Sequence, residues 1–306
     1  MKMEKRDLLC LSDLDPASVW RIFNLADALR EDATYKPLAE KVVALIFKKP
    51  SLRTRVSFEV AVNQLGGRCI VLTDSEIGVG EREEVKDVAR VLSLYVDCII
   101  ARVFSHKELI ELARFSDVPV INGLSDDFHP CQILSDLYTI WKKRAKIVDL
   151  NLAFIGDGTN NVVSSWLIAA GMMGMNITVA SPKGFSPRKE VIKKAREYAK
   201  VSGAKIRLTS DPKKAVSSAE IIYTDVWTSM GREAEREERV KLFSGFCVNR
   251  ELLSFAKKDF LVMHCLPAHR GEEITDYVIE GPRSIVFEQA RNRLFVQKGI
   301  LTFLLT

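Results

Sequence analysis

Short runs of β-branched and apolar residues alternate with longer helical stretches along almost the whole chain, and this alternation leaves few folds open. Candidate strands are Val42–Phe47, Cys69–Thr73, Cys98–Arg102 and Val118–Ile121, then Leu152–Ile155, Ile177–Ala180, Ile206–Thr209, Ile221–Asp225, Leu261–Cys265 and Ile285–Phe287. Helical stretches between them cover Arg53–Leu65, Lys107–Phe115, Gln132–Lys146, Val162–Met173 and Pro187–Val201. Strands separated by helices form βαβ units, so the fold class is α/β, with parallel sheets flanked by helices. The 306 residues are enough for two domains with full cores. Residues 129–146 read as one long helix leaving the first sheet, and a second strand cluster begins at Asn151. The expected division is 1–145 and 146–289, followed by an apolar helix over 290–306.

Composition narrows the function. Hydrophobic residues at 47% and charged residues at 28% are those of a globular protein. No apolar run approaches the 18 or so residues of a membrane span. Glu4, Asp7, Asp13 and Asp15 near the start argue against a mitochondrial transit peptide, so a cytoplasmic location is expected. The net charge of +5 is spread along the chain, without the basic stripe that nucleic-acid binding requires. The six cysteines stand singly, and the four histidines show no metal-ligand spacing. Free thiols are therefore expected, with no metal and no cofactor.

Ligands of open α/β sheets bind beyond the carboxyl ends of the strands, and the unusual residues of this chain gather there. Ser51-Leu52-Arg53-Thr54-Arg55 follows a strand and opens a helix. It is either a serine cap with surface arginines or an anion site built from helix N–H groups and guanidinium. Arg102 ends a buried strand and needs a partner. His129-Pro130-Cys131-Gln132 opens the long helix, with Pro130 suited to its first turn. Gly156-Asp157-Gly158-Thr159-Asn160-Asn161 lies between a strand and a helix, but Asn161 breaks the dinucleotide fingerprint. A nicotinamide cofactor is not expected. Asn160 and Asn161 suit a carboxylate instead. Asp225 ends a strand before Val226-Trp227-Thr228-Ser229-Met230-Gly231, where it is placed to hold an ammonium group. His264-Cys265-Leu266-Pro267 ends another strand, where a lone cysteine is either buried filler or part of a site.

Together these clusters, with LSDLD, S-x-R-T-R-x-S-F-E, HPCQ-x-L-x-D, HCLPAHRGEE and the closing ARNRL, closely resemble the ornithine carbamoyltransferase family over nearly all 306 residues. The resemblance implies transfer of the carbamoyl group of carbamoyl phosphate to the side-chain amine of L-ornithine, giving citrulline and phosphate in arginine biosynthesis. It implies two α/β domains, carbamoyl phosphate on the first and ornithine on the second, with the terminal helix packing back on the first. It also implies a homotrimer, or an assembly of trimers, whose sites lie at subunit interfaces.

By the same resemblance Ser51, Leu52, Arg53 and Thr54 bind phosphate. Arg102, His129 and Thr54 face the carbonyl oxygen, Gln132 holds the carbamoyl amine, and Arg293 adds a cation. Asn161 and the Ser229-Met230 backbone take the ornithine carboxylate, and Asp225 takes its α-ammonium. Cys265 and the Leu266 carbonyl orient the attacking amine, with no covalent intermediate on the thiol. Two positions depart from the family. Leu52 stands where relatives commonly carry Thr. Gly78 stands where they often place Gln or His to reach a neighbouring subunit's phosphate, which leaves Arg82 as that loop's cation.

Overall fold

The computed structural model describes residues 5–80, 82–228 and 233–306. The chain divides into two compact units: residues up to Tyr138 together with Arg291–Thr306, and Thr139–Ala290. Each is built on a parallel sheet.

In the first unit the sheet runs β2-β1-β3-β4, with β1 Val42–Phe47, β2 Arg68–Thr73, β3 Cys98–Arg102 and β4 Val120–Leu124. Helices Leu52–Gln64, Val85–Ser93 and His106–Phe115 make the crossovers. Because helices cover both faces, the central strands are apolar at successive positions rather than alternating. All of β3 is buried, and so is β1 beyond Val42. Edge strand β2 is more exposed. Register places Phe47 beside Arg102, so the ends of β1 and β3 are level. Between Ala101 and Arg102 the pairing with β4 slips at Gly123. A Cβ there would lie 3.3 Å from the Ala101 carbonyl oxygen.

The second sheet runs β7-β6-β5-β8-β9, with β5 Asn151–Ile155, β6 Asn176–Ala180, β7 Ile206–Thr209, β8 Ile221–Thr224 and β9 Leu261–His264. All its pairings are parallel. The helix Asn161–Met173 after β5 is buried at every position beyond Asn161, as expected of a helix apolar all round. Asn160 caps it by accepting from the Val163 N–H, and Gly174 ends it at φ +74°. Gly171 lets this helix meet Lys189–Ser202 at the Ala195 carbonyl, where a Cβ has no room.

Two expectations change. Ile285–Phe287 is not a strand. One bridge joins Ser284 to Val262, and the helix Val286–Leu305 starts at once. Its β-branched start mimics a strand because the first helical turn is buried against the second core. The fourth strand lies at Val120–Leu124, two residues beyond the expected start, because the Ser116 hydroxyl engages both backbone groups of Val118. The terminal helix packs back on the first unit: Val296, Ile300 and Leu301 are buried, and Gly299 sits against Ile22 and Ala26 of the helix Pro16–Glu31. No described helix is long and apolar enough to cross a membrane.

Candidate active site

Both sheets reverse their winding, the first between β1 and β3 and the second between β5 and β8. The crevice at such a switch point is where α/β sheets bind ligands. The predicted residues lie at these two points.

In the first unit Ser51 caps the helix Leu52–Gln64, its hydroxyl accepting from the Thr54 N–H at 3.2 Å. Leu52 occupies the first helical position with its side chain 75% exposed, so only its backbone faces the anion position of a helix N-terminus. Thr54 is buried against Gly123, whose added Cβ would lie 3.5 Å from the threonine methyl. Its Oγ1 accepts from Arg293 Nη2 at 3.0 Å. That bond uses the hydroxyl as an acceptor and leaves its proton to be donated.

Arg293 Nη1 also donates to Gln132 Oε1. Gln132 Nε2 donates in turn to Asp136 Oδ1 at 2.8 Å, so the amide is fixed from both ends. All four residues are buried. Arg102 at the end of β3 and His129 are buried as well. Burial, with Arg293, Arg102 and Arg53 close by, holds the His129 imidazole well below its ordinary pKa. It is neutral at pH 7 and surrounded by three guanidinium groups. The result is a concentrated positive field around a neutral N–H donor, at a helix N-terminus.

In the second unit Asp225 directly follows β8 and is buried. Its Oδ2 accepts from Asn160 Nδ2 at 3.0 Å, and its Oδ1 from Cys265 Sγ at 2.9 Å and the Val226 N–H at 2.8 Å. Burial raises its pKa, and the hydrogen bonds from Cys265 and the Val226 N–H oppose that shift. Cys265 is thus a thiol donating to a carboxylate, which is not how a thiolate nucleophile is activated. Asn161 opens the helix at the other side of the crevice, half-buried. Leu266 adopts φ +56° before a cis bond to Pro267, and its N–H donates to His264 Nδ1 at 2.8 Å. Ser229 and Met230 lie outside the described residues.

Comparison with known proteins gives these two groups a common identity. A profile of the aspartate/ornithine carbamoyltransferase carbamoyl-phosphate-binding domain matches residues 6–142, and one of the Asp/Orn-binding domain matches 148–304. The chain belongs to the aspartate/ornithine carbamoyltransferase family. It is 49% identical over 309 aligned residues to the ornithine carbamoyltransferase of Pyrococcus horikoshii, covering 100% of this chain and 97% of that one. To that of Archaeoglobus fulgidus it is 51% identical over 305, covering 98% and 97%. The ornithine carbamoyltransferase structure from Pyrococcus furiosus superposes with a TM-score of 0.95 at 48% identity, covering 100% of this chain and 98% of that one.

Within this carbamoyltransferase, several supporting contacts had no legible sequence signal. Arg239 is buried, with Nη1 donating to Asp157 Oδ2 at 2.7 Å and to the Trp227 carbonyl at 2.9 Å. It ties the loop after β5 to the segment after β8. Gln289 accepts from the His264 N–H at 3.0 Å. His264 Nε2 donates to buried Glu273 at 3.1 Å, which fixes the tautomer whose Nδ1 accepts from Leu266. Each of these pairs is distant in the chain or lacks a spacing rule. Asp136 is the last residue of the HPCQ-x-L-x-D stretch, and His264 and Glu273 open and close HCLPAHRGEE, but neither motif shows the bonds these residues make.

Proposed function

We propose that this chain transfers the carbamoyl group of carbamoyl phosphate to the side-chain amine of L-ornithine, yielding L-citrulline and phosphate, a reading in keeping with relatives named ornithine carbamoyltransferase. The observation that carries the reading is the gathering of Arg53, Arg102 and Arg293 around the neutral His129, beside the buried Thr54–Arg293–Gln132 chain. Phosphate is taken by the Ser51–Thr54 helix start with Arg53. The carbonyl oxygen, which becomes an oxyanion on attack, is met by Arg102, His129 and the Thr54 hydroxyl. One such donor contributes about 2.7–4 kcal/mol to lowering a barrier. Gln132 Oε1, oriented by Arg293, accepts from the carbamoyl NH2.

Ornithine's α-ammonium pairs with Asp225, and its carboxylate with Asn161 and the Ser229-Met230 segment. Its δ-amine, deprotonated by the surrounding positive field, forms the new C–N bond to the carbonyl carbon. The C–O bond to phosphate then breaks, and phosphate can carry off the amine's proton. The Leu266 carbonyl and Cys265 orient the amine. The working state is proposed as a cytoplasmic homotrimer in which Arg82 reaches a neighbour's phosphate.

The test is a citrulline assay with purified protein, and acetylated ornithine and putrescine as competing acceptors. Citrulline formation with ornithine preferred is the expected result. Activity on either rival alone would reassign the acceptor: acetylated ornithine lacks the α-ammonium that Asp225 is built to hold, and putrescine keeps an ammonium there but lacks the α-carboxylate that Asn161 would take.

A further inference from the structure

Beyond Cys265 the chain makes a tight loop, His269-Arg270-Gly271-Glu272-Glu273, within the second unit. One donor atom from each of His269, Glu272 and Glu273 lies within 4.8 Å of the other two. Glu273 is the unusual member, because its side chain is 0% exposed. Its Oε1 is fully employed, accepting from His264 Nε2 at 3.1 Å and from the His269 N–H at 2.6 Å. Its Oε2 is buried and accepts nothing. An ionised carboxylate oxygen left bare in the interior is expensive, and native structures rarely tolerate one without a partner.

Two more atoms of this cluster are bare. His269 Nδ1 and Glu272 Oε2 are shut off from solvent without a hydrogen bond, and stand 3.6 Å apart. The other oxygen of Glu272 is held by Arg236, whose Nε donates to it at 3.1 Å. Two carboxylates against one guanidinium leave a net negative pocket.

We propose that His269 Nδ1, Glu272 Oε2 and Glu273 Oε2 form a binding site for one divalent transition cation. One imidazole and two carboxylates suit Mn2+, Co2+ or Zn2+, with water completing the shell. Ligands at about 2.0–2.2 Å from such an ion sit about 3.4 Å from one another, so small side-chain movements close the present span. The ion enters from the His269 side, where the ring is 36% exposed and Glu272 15%. Its effect passes along Glu273–His264–Leu266, firming the turn that carries Cys265. The role is structural, and it stands independently of carbamoyl transfer. A nearby group, Asp225 with His264 and Cys265, does not compete, because both ring nitrogens of His264 are engaged.

Mn2+ is the probe of choice, since it favours imidazole and carboxylate over the free thiols of this chain. Chelator-treated full-length protein is titrated with Mn2+, and free ion is read from its magnetic resonance signal. One equivalent per chain is expected, with affinity at least tenfold weaker in His269→Ala and in Glu272→Gln and unchanged in Cys265→Ser. Bound Mn2+ should also raise the Tm of the wild type and not of the first two variants. No binding at millimolar Mn2+, equal binding in all variants, or loss only in Cys265→Ser would overturn the site.

Discussion

At the scale of single residues, His129 and Asp225 are perturbed for opposite purposes. His129 is kept neutral by burial and by Arg293, Arg102 and Arg53. An unfolded histidine titrates near pH 6.5. Between the lowered folded value and about 6.5 the unfolded chain binds a proton that the folded chain refuses, so this residue makes stability fall as pH drops through that window. His129→Gln should abolish its share. Urea unfolding of both proteins should give a constant difference above about pH 7.5, turning against the wild type below 6.5. Parallel curves would mean that His129 keeps its proton. His129→Ala, which removes the ring N–H, should lower kcat by roughly one to three orders of magnitude, as for a lost oxyanion donor. Asp225 carries the opposite burden, a carboxylate buried with three donors around it. Stripping a partner from a buried charge typically costs about 3–5 kcal/mol. Asp225→Asn should therefore raise the ornithine KM strongly and leave the carbamoyl phosphate affinity nearly intact. Unchanged ornithine kinetics would remove Asp225 from substrate recognition.

At the scale of elements, one helix supplies a residue to a site far from it in the chain. Arg293 reaches Thr54 and Gln132 only because the helix Val286–Leu305 beds against Pro16–Glu31. Gly299 permits that close approach, since a Cβ there would stand 2.5 Å from the Ile22 carbonyl oxygen. Gly299→Ala is predicted to cost about 1–3 kcal/mol through overpacking and to raise the KM for carbamoyl phosphate as Arg293 shifts. Gly171→Ala, which crowds the Ala195 carbonyl in the second unit, should cost comparable stability with little effect on that KM. Equal effects on carbamoyl phosphate from both variants would separate the helix seat from the site. Thermal melts and initial-rate kinetics on the pair decide it.

At the scale of the whole molecule, Gly78 and Arg82 bear on the proposed trimer. Gly78 turns with φ +54°, and a Cβ there would lie 2.9 Å from the Cβ of Arg82, so the two positions share one space. A side chain at 78 would displace Arg82, which is exposed. If Arg82 reaches a neighbour's phosphate in a trimer, Arg82→Ala should raise the carbamoyl phosphate KM without changing the sedimentation of the assembly. Mixing it with inactive Arg53→Ala subunits should then restore part of the activity through hybrid interfaces. An unaltered KM in Arg82→Ala would leave the phosphate to the residues of one chain.

The alternation of apolar runs was enough to specify parallel α/β sheets, because buried central strands need continuous apolar stretches and parallel neighbours need crossovers. Strand-end position picked out Arg53, Arg102, His129, Asp225 and Cys265, since the carboxyl edge of such a sheet is where backbone dipoles and side chains are left to meet a ligand. Local patterns could not separate the strand-like Ile285–Phe287 from a buried helix start, as periodicity is ambiguous in three residues. Nor could they show that Arg293 pins Gln132, that Arg239 ties Asp157 to Trp227, or that Glu273 holds His264 with one oxygen and leaves the other bare. Secondary structure is encoded over a few neighbouring residues and can be read there. Partners separated by up to 239 positions, as Thr54 and Arg293 are, exist only once packing has excluded water and pressed buried polar atoms to find one another.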